Sequence, residues 1–268
     1  MEFFWEMLSL QETMFLLILT GVLIKKLKII DAAGRKMLSD LLIDVILPCN
    51  IVESFLGGMV FPDGFARNCL LAVGLSAVIQ LMSIYGSKLL FRKYPREQRS
   101  VLSYGIICSN SSFVGLPVAR LLFGDLGVIY TSMFQIPLRF TMWTAGLSLF
   151  TSVSRKDTVP VSMFVIGTIL ADAPIRSMFS KPVLWYTCLR LVLYPLLLCV
   201  LLKPLHLDTT LTNVCILMTG MPAGSTGSIL ADKYDCDAVF ASQIAFASTL
   251  CSILTIPLLT LVMESFPL

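Results

Sequence analysis

Two long apolar runs in this chain are each interrupted by a short polar stretch that contains a Gly-x-Pro sequence. The first stretch covers residues 109–117 (SNSSFVGLP) and the second covers residues 220–228 (GMPAGSTGS). Proline lacks a backbone N–H and breaks a helix, so each stretch frees peptide groups at membrane depth. Such groups are tolerated only where protein buries them or where they line a wet cavity. A pair of broken helices, one in each half of the chain, is typical of the binding site of a secondary transporter.

The composition places the chain among membrane proteins. Hydrophobic residues make up 56% of the chain, charged residues only 14%, and the mean hydropathy is +0.85, far from the averages of soluble domains. Apolar runs of about 20 residues are long enough to cross a bilayer. We predict spans at residues 8–27, 38–56, 66–91, 101–123, 128–150, 183–202, 211–231 and 238–262. The predicted fold class is therefore an all-α polytopic membrane protein.

Basic residues are concentrated at alternate loops. They cluster after the first, third and fifth predicted spans, as Lys25, Lys26, Lys28, Arg35, Lys36, Lys88, Arg92, Lys93, Arg96, Arg99, Arg155 and Lys156. By the positive-inside rule these loops are cytoplasmic, which predicts a multi-pass protein of the plasma (cytoplasmic) membrane with its N-terminus outside. No basic residue precedes Lys25, so the first helix does not resemble a cleaved signal peptide and is predicted to be retained.

The sequence contains no recognisable catalytic or metal-binding motif. Its eight cysteines are dispersed without a Cys-x-x-Cys pair, and the single histidine, His206, lies in a loop without nearby ligands. Dispersed cysteines in apolar segments are typical of packing residues. There is no nucleotide-binding loop or catalytic triad. An intramembrane enzyme, an ATP-driven pump, a cofactor and a nucleic-acid partner are therefore not predicted.

The two halves of the chain carry matching landmarks. Residues 1–150 and residues 151–268 each contain an early proline, a Gly-x-Pro break and a following helix with a glutamine and a proline. The matched pairs are Pro48 and Pro160, Pro117 and Pro222, Gln135 and Gln243, and Pro137 and Pro257. This pattern predicts inverted five-helix repeats with two crossing broken helices.

The second repeat is shorter than the first at its start. Forty-seven residues precede Pro48, but only the nine residues 151–159 precede Pro160, a deficit of 47 − 9 = 38 residues. The second repeat is predicted to be incomplete, without its first helix and half of its second. The remaining apolar piece, residues 159–171, would be about 20 Å long as a helix, too short to span comfortably. We predict a re-entrant half-helix; the alternative, a spanning helix, would invert the topology of everything that follows.

At these motifs the chain resembles the auxin efflux carrier family, which includes bacterial organic-acid permeases and plant auxin carriers. The resemblance extends from about residue 10 to residue 263 and rests on Leu47-Pro48, Asn110 with Gly115-Leu116-Pro117, Leu122-Phe123-Gly124, Pro137-Leu138-Arg139 with Trp143, Met221-Pro222-Ala223, Leu230-Ala231-Asp232-Lys233-Tyr234, Ser248-Thr249-Leu250 and Ile256-Pro257-Leu258. It implies ten helices in two inverted repeats, with the breaks crossing at mid-membrane to form the substrate site. It also implies a scaffold part, formed by the first two helices of each repeat, and a moving transport part. The predicted deficit falls in the scaffold part, which could also support a homodimer contact.

The first break offers the best candidates for binding an anion. Freed N–H groups and a helix N-terminus attract a carboxylate, and Asn110 matches the family motif, so its side-chain amide is predicted to bind the substrate. The alternative is that Asn110 only satisfies the broken backbone, just as Ser and Thr often bond back to their own helix. Residues that supply hydroxyls or shape the crossing complete the predicted site: Ser109, Ser111, Ser112, Gly115, Pro117, Gly220, Pro222, Gly224, Ser225, Thr226 and Ser228.

Other polar residues lie within the predicted spans, where such residues are costly and often functional. Arg139 is predicted either to hold an anion or to form a structural pair with Asp44. Gln135 and Gln243 either line the pocket or bond between helices. Arg190, in contrast, is placed nearer a span end, where a long side chain reaches the interface.

The predicted function is a secondary transporter, or permease, for a small organic anion such as a dicarboxylate or an auxin-like carboxylate. Asp44 and Asp172 are candidates for coupling to a proton, although the sequence leaves proton, sodium and membrane potential open. The predicted partners are the lipid bilayer and the anion. The alternative is a non-transporting remnant of such a carrier, which inserts but does not cycle because its scaffold is incomplete.

Overall fold

A computed structural model describes residues 62–151 and 180–265, apart from positions 225 and 235, together with the isolated positions 9, 12, 20 and 49. Apart from those four isolated positions, the predicted first two spans lie outside the described residues, as do the segment 159–171 and the residues Asp44, Asp172 and Ser225. The re-entrant half-helix, the 38-residue deficit and the pairing of Arg139 with Asp44 therefore remain predictions.

The described chain is helical. Its α-helices are α1 (Phe65–Leu90), α2 (Arg96–Ile107), α3 (Leu116–Thr141), α4 (Leu147–Thr151), α5 (Lys181–Cys188), α6 (Tyr194–Leu202), α7 (Thr209–Thr219), α8 (Thr226–Lys233) and α9 (Ala238–Ser265). Short π-helical turns precede α3, α4 and α6, at Ser111–Gly115, Met142–Gly146 and Leu189–Leu193, and a 3-10 turn, Lys203–Leu205, follows α6. Within these described residues there is no strand, only one isolated antiparallel bridge between Ser109 and Ala223.

Four of the described segments are long and apolar enough to cross a membrane. They are Phe65–Leu90, Leu116–Thr151, Lys181–Leu202 and Ala238–Met263. Large apolar side chains on their outer faces are strongly exposed, among them Leu70, Phe140 and Val200, each at least 70% accessible. Such faces suit a lipid environment or packing against other membrane helices. The prediction of an all-α polytopic membrane protein is confirmed.

The segment Leu116–Thr151 contains a chain reversal at Gly124. This glycine has φ 61° and ψ −149°, a backbone conformation open essentially to glycine alone. A Cβ atom built on Gly127 would lie 2.5 Å from the carbonyl oxygen of Ala119, whereas residues eight apart in a straight helix are about 12 Å apart. The chain therefore folds back here, which agrees with the prediction of separate spans at 101–123 and 128–150.

The two described halves have the same order of elements. A continuous span (α1, or α5 with α6) is followed by an interrupted one (α2 and the start of α3, or α7 and α8) and then by another continuous span. Two buried clusters pack these elements, one mainly from α1, α3, α6 and α7, the other mainly from α2, α5, α8 and α9. The interrupted helices contribute to both clusters, so the breaks lie where the clusters meet.

Candidate functional site

The two interrupted helices meet through their backbones. We call residues 108–110 and 220–224 the crossover. The backbone N–H of Asn110 donates to the carbonyl oxygen of Pro222 at 2.8 Å, and the N–H of Gly224 donates to the carbonyl oxygen of Cys108 at 3.2 Å. Unwound peptide groups of one helix thus satisfy those of the other, as burial at membrane depth demands. The prediction of two crossing broken helices is confirmed.

The first break lies at the start of the predicted stretch 109–117, and the Gly-x-Pro sequence about two turns further on does not interrupt the helix, contrary to expectation. Gly115 is helical, with φ −67° and ψ −44°, and Pro117 lies in the first turn of α3, where its missing N–H is not needed. The backbone leaves the helix at residues 108–110 instead. The carbonyl oxygen of Asn110 then accepts bonds from Val114 and Gly115, which start the π-helical turn.

This correction also changes how the two halves correspond. The matched landmarks suggested that Pro222 is the structural counterpart of Pro117. The bridge instead pairs Ser109 with Ala223, so the two prolines do not correspond. Gly115 has a packing role, since a Cβ atom there would lie 2.9 Å from the sulfur of Met218. Gly220 and Pro222, in contrast, lie within the second break, where they were predicted to shape the crossing.

The side-chain amide of Asn110 has no hydrogen-bond partner among the described residues. Asn110 is half-buried, and its side chain caps no turn of the helix that follows it. Its contacts within the described part of the chain are made by its backbone, through Pro222, Val114 and Gly115. The geometry therefore gives no support to the alternative that the amide serves only to satisfy the broken backbone.

A polar group on one side of the crossover contains Ser112, Gln135 and Arg139. The hydroxyl of Ser112 donates to Oε1 of Gln135 at 2.8 Å, and Nη2 of Arg139 donates to the Ser112 oxygen at 3.1 Å and to the same Oε1 at 3.4 Å. Nε2 of Gln135 donates to the backbone oxygen of Ser111 at 3.4 Å. Gln135 thus bonds to the segment beside the break, as one of its two interpretations predicted, and its role in lining a pocket stays a prediction. Arg139 is exposed and contacts neutral oxygens here.

Two further serine hydroxyls of the first break are buried without a partner. Ser109 is 9% and Ser111 1% accessible, and neither Oγ atom has a hydrogen-bond partner among the described residues. A buried hydroxyl without a partner is costly, so each of these groups is ready to bond a water or a ligand.

In the second half, side chains from neighbouring helices hold the break. The hydroxyl of Tyr104 donates to Oγ1 of Thr226 at 3.0 Å, so Thr226 is tied to α2. The backbone N–H of Ala223 donates to Oγ of Ser248 at 3.1 Å. Gln243 is buried in α9. Ser248 was not predicted as a site residue, although it lies in one of the family blocks.

Arg190 is the most important residue that the sequence analysis misplaced. It is only 2% accessible, so it does not reach the membrane interface as expected. Its Nε donates to the carbonyl oxygen of Met221 at 3.1 Å, and its Nη1 donates to that of Ile106 at 2.5 Å. Its guanidinium also lies over the ring of Tyr194, 5.7 Å from the centroid. One buried cation therefore contacts both broken helices.

A small cavity of about 10 Å³ adjoins this arginine. Its polar lining comes from Gln80, Ser83, Ser109, Arg190, Tyr194 and Thr219. A cavity needs about 10–15 Å³ of such volume to hold one water molecule. The cavity beside the crossover is therefore about large enough for a single water.

The fold and the crossover define a class of protein, a polytopic α-helical membrane carrier built around two crossed, interrupted helices. The sequence matches the family described as membrane transport protein over residues 9–159 and 156–260. The chain belongs to this family, and the resemblance to auxin efflux carriers is confirmed. The two matched segments meet at residues 156–159, close to where the second repeat is predicted to be shortened. Searches of curated proteins and of solved structures returned no significant match.

Proposed function

We propose that this transporter is a secondary carrier that moves a small organic anion, such as a dicarboxylate or an auxin-like carboxylate, across the cytoplasmic membrane. Its N-terminus would lie outside. Membership of a transport family supplies the general activity. The substrate class rests on one observation, the balance of charge at the crossover.

Four helix ends meet at the crossover, and each carries a partial charge. The C-terminal ends of α2 and α7 contribute about −0.5 elementary charge each. The guanidinium of Arg190, bonded to carbonyl oxygens at both of these ends, compensates them. The N-terminal ends that begin at Ser111 and Thr226 contribute about +0.5 each. No carboxylate of the described side chains pairs with either end, which leaves about one positive charge for an anion.

The side chains near these positive ends are donors. Within the described residues, Asn110 offers an amide without a hydrogen-bond partner, and Ser109 and Ser111 offer hydroxyls without one. Arg139 offers a guanidinium that contacts only neutral oxygens among the described side chains. Helix N-termini and arginines together are a common arrangement for binding a carboxylate. In this proposal Asn110 and Arg139 bind the carboxylate, and the hydroxyls complete its hydrogen bonds.

The proposal is tested by binding measurements on purified protein. Succinate and phenylacetate represent the dicarboxylates and the aromatic carboxylates, and their uncharged amides, succinamide and phenylacetamide, serve as matched ligands. We expect at least one carboxylate to bind and its amide to bind at least tenfold more weakly, because only the charged ligand balances the helix ends. Failure of every carboxylate to bind, or equal binding of acid and amide, would contradict the proposal.

A transport assay then separates a working carrier from a remnant. Protein reconstituted in vesicles loaded with the binding carboxylate should accumulate the labelled compound from outside by counterflow. We expect uptake that unlabelled carboxylate inhibits and that empty vesicles lack. Binding without counterflow would favour the non-transporting remnant, in which the predicted scaffold deficit prevents cycling.

A further inference from the structure

A buried arginine at the centre of a membrane protein requires an explanation. A charged group taken out of water costs several kcal/mol unless partners compensate it, and Arg190 is almost fully buried. No carboxylate of the described side chains forms an ion pair with it. Among the described residues, its guanidinium donates to two backbone carbonyl oxygens, that of Ile106 at the end of α2 and that of Met221 just beyond the end of α7.

The groups around Arg190 are oxygen atoms of the kind that bind metal cations. Besides the two carbonyls, Oε1 of Gln80 and Oγ of Ser109 are buried and have no hydrogen-bond partner in the described part of the chain, and both residues line the cavity that Arg190 also lines. In carriers with broken helices, unwound carbonyls and the C-terminal ends of half-helices coordinate the coupling cation. In this protein, oxygen atoms of the same type surround the guanidinium of Arg190.

We propose that Arg190 is the resident cation of the crossover, which takes the place of a bound metal ion and fixes the two breaks to each other. A single guanidinium bonds to both interrupted helices, so it compensates both negative ends at once. The carrier then needs no sodium ion to assemble its site. The structural part of this inference is independent of the substrate, and only its effect on anion binding rests on the proposed function.

The structural part is tested without any substrate. Arg190→Ala removes the guanidinium and leaves the oxygen atoms in place, so a small cation should take over. We expect the melting temperature of this variant to be about 2–4 °C higher in sodium chloride or dilute guanidinium chloride than in choline chloride of equal ionic strength. Wild type and Arg120→Met, which loses an exposed ion pair with Asp125, should show no such difference. Equal melting of Arg190→Ala in all three salts would overturn the proposal.

Two variants of similar length test the charge itself. Arg190→Lys keeps a cation, whereas Arg190→Met keeps only the apolar stem. We expect the Lys variant to melt above the Met variant and, if carboxylates bind, to retain affinity within about tenfold of wild type. The affinity of wild type should be unchanged when sodium is replaced by choline. If both variants melt together, or if wild type requires sodium, Arg190 is not the resident cation, whether or not carboxylates bind.

Discussion

The backbone N–H of Asn110 donates a hydrogen bond to the carbonyl oxygen of Pro222, and this 2.8 Å contact joins the first interrupted helix to the second. Pro222 has no N–H to donate in return, so the second bond of the pair comes from Gly224 to Cys108. Each break supplies the partners that the other lacks. Neither helix could therefore unwind alone without leaving buried peptide groups unpaired.

Replacing Asn110 with proline should remove this hydrogen bond and leave the backbone conformation almost unchanged. Asn110 has φ −79°, which the proline ring tolerates, and the bridged conformation of Ser109 suits a residue that precedes proline. The buried Pro222 carbonyl would lose a partner, at a cost of about 1–3 kcal/mol. In detergent, Asn110→Pro should have a lower melting temperature than Asn110→Ala, because the alanine variant keeps the backbone N–H. Equal melting temperatures would show that the bond contributes nothing measurable.

Removing the Asn110 amide should weaken binding far more than it weakens folding. A hydrogen bond to a charged group contributes about 1.5–3 kcal/mol, so Asn110→Ala should lower carboxylate affinity about ten- to hundredfold. The matched control is Asn68→Ala, because Nδ2 of Asn68 donates to the hydroxyl of Tyr130 at 3.2 Å, within the fold rather than at the crossover. Titration and thermal unfolding of both variants decide the question. An unchanged affinity in folded Asn110→Ala would remove Asn110 from the site.

Arg139 should contribute to affinity through its charge. Arg139→Met removes a guanidinium that faces neutral oxygens of Ser112 and Gln135, and we expect about a ten- to hundredfold loss of carboxylate affinity. Arg120→Met is the matched control, because Arg120 is paired with Asp125 near the chain reversal. Binding of the uncharged amides should not change in either variant. A similar loss for acid and amide would indicate a general structural effect instead.

Much of the fold follows from hydropathy and helix length. The span predicted at residues 66–91 is α1 (Phe65–Leu90) and that at 238–262 lies within α9 (Ala238–Ser265). Apolar runs of membrane length predict these elements because lipid admits few other structures. The second break was also located, since Gly220 and Pro222 lie within it. Hydropathy says nothing, however, of which side chains meet at the crossover.

The first break was expected within the stretch 109–117, but its Gly-x-Pro sequence did not indicate where in that stretch the helix unwinds. The proline at position 117 is tolerated in the first turn of a helix, whereas the actual break, Cys108 to Asn110, contains neither glycine nor proline. Its unwinding depends on backbone bonds to a distant segment.

Arg190 was misplaced for a different reason. It lies seven residues inside the span predicted at 183–202, about 10 Å deep, so the cost of an ionisable residue there already indicated a buried role.

The reversal at Gly124 should depend on the glycine three residues later. Gly127→Ala would bring a Cβ atom to 2.5 Å from the backbone oxygen of Ala119, and a rigid backbone neighbour cannot move aside easily. We expect a loss of stability of about 1–3 kcal/mol, typical of overpacking. At Gly74 a Cβ atom would meet nothing within 4 Å, so Gly74→Ala should be neutral or slightly stabilising. Thermal unfolding compares the two; equal effects would show that the α3 backbone adjusts freely.

The segment 159–171 should enter and leave the membrane on the cytoplasmic side. As a helix its thirteen residues measure about 20 Å, less than the roughly 30 Å of a hydrocarbon core. The basic residues Arg155 and Arg176 flank it, and the positive-inside rule favours both on the inner side. In a variant without native cysteines, Arg155→Cys and Arg176→Cys should both resist an impermeant thiol reagent in intact cells. Both should label after the membrane is opened, and so should the control Lys93→Cys, which lies in a loop predicted to be cytoplasmic. Labelling of position 176 but not 155 in intact cells would mean that the segment spans, and that the C-terminal half has the opposite orientation.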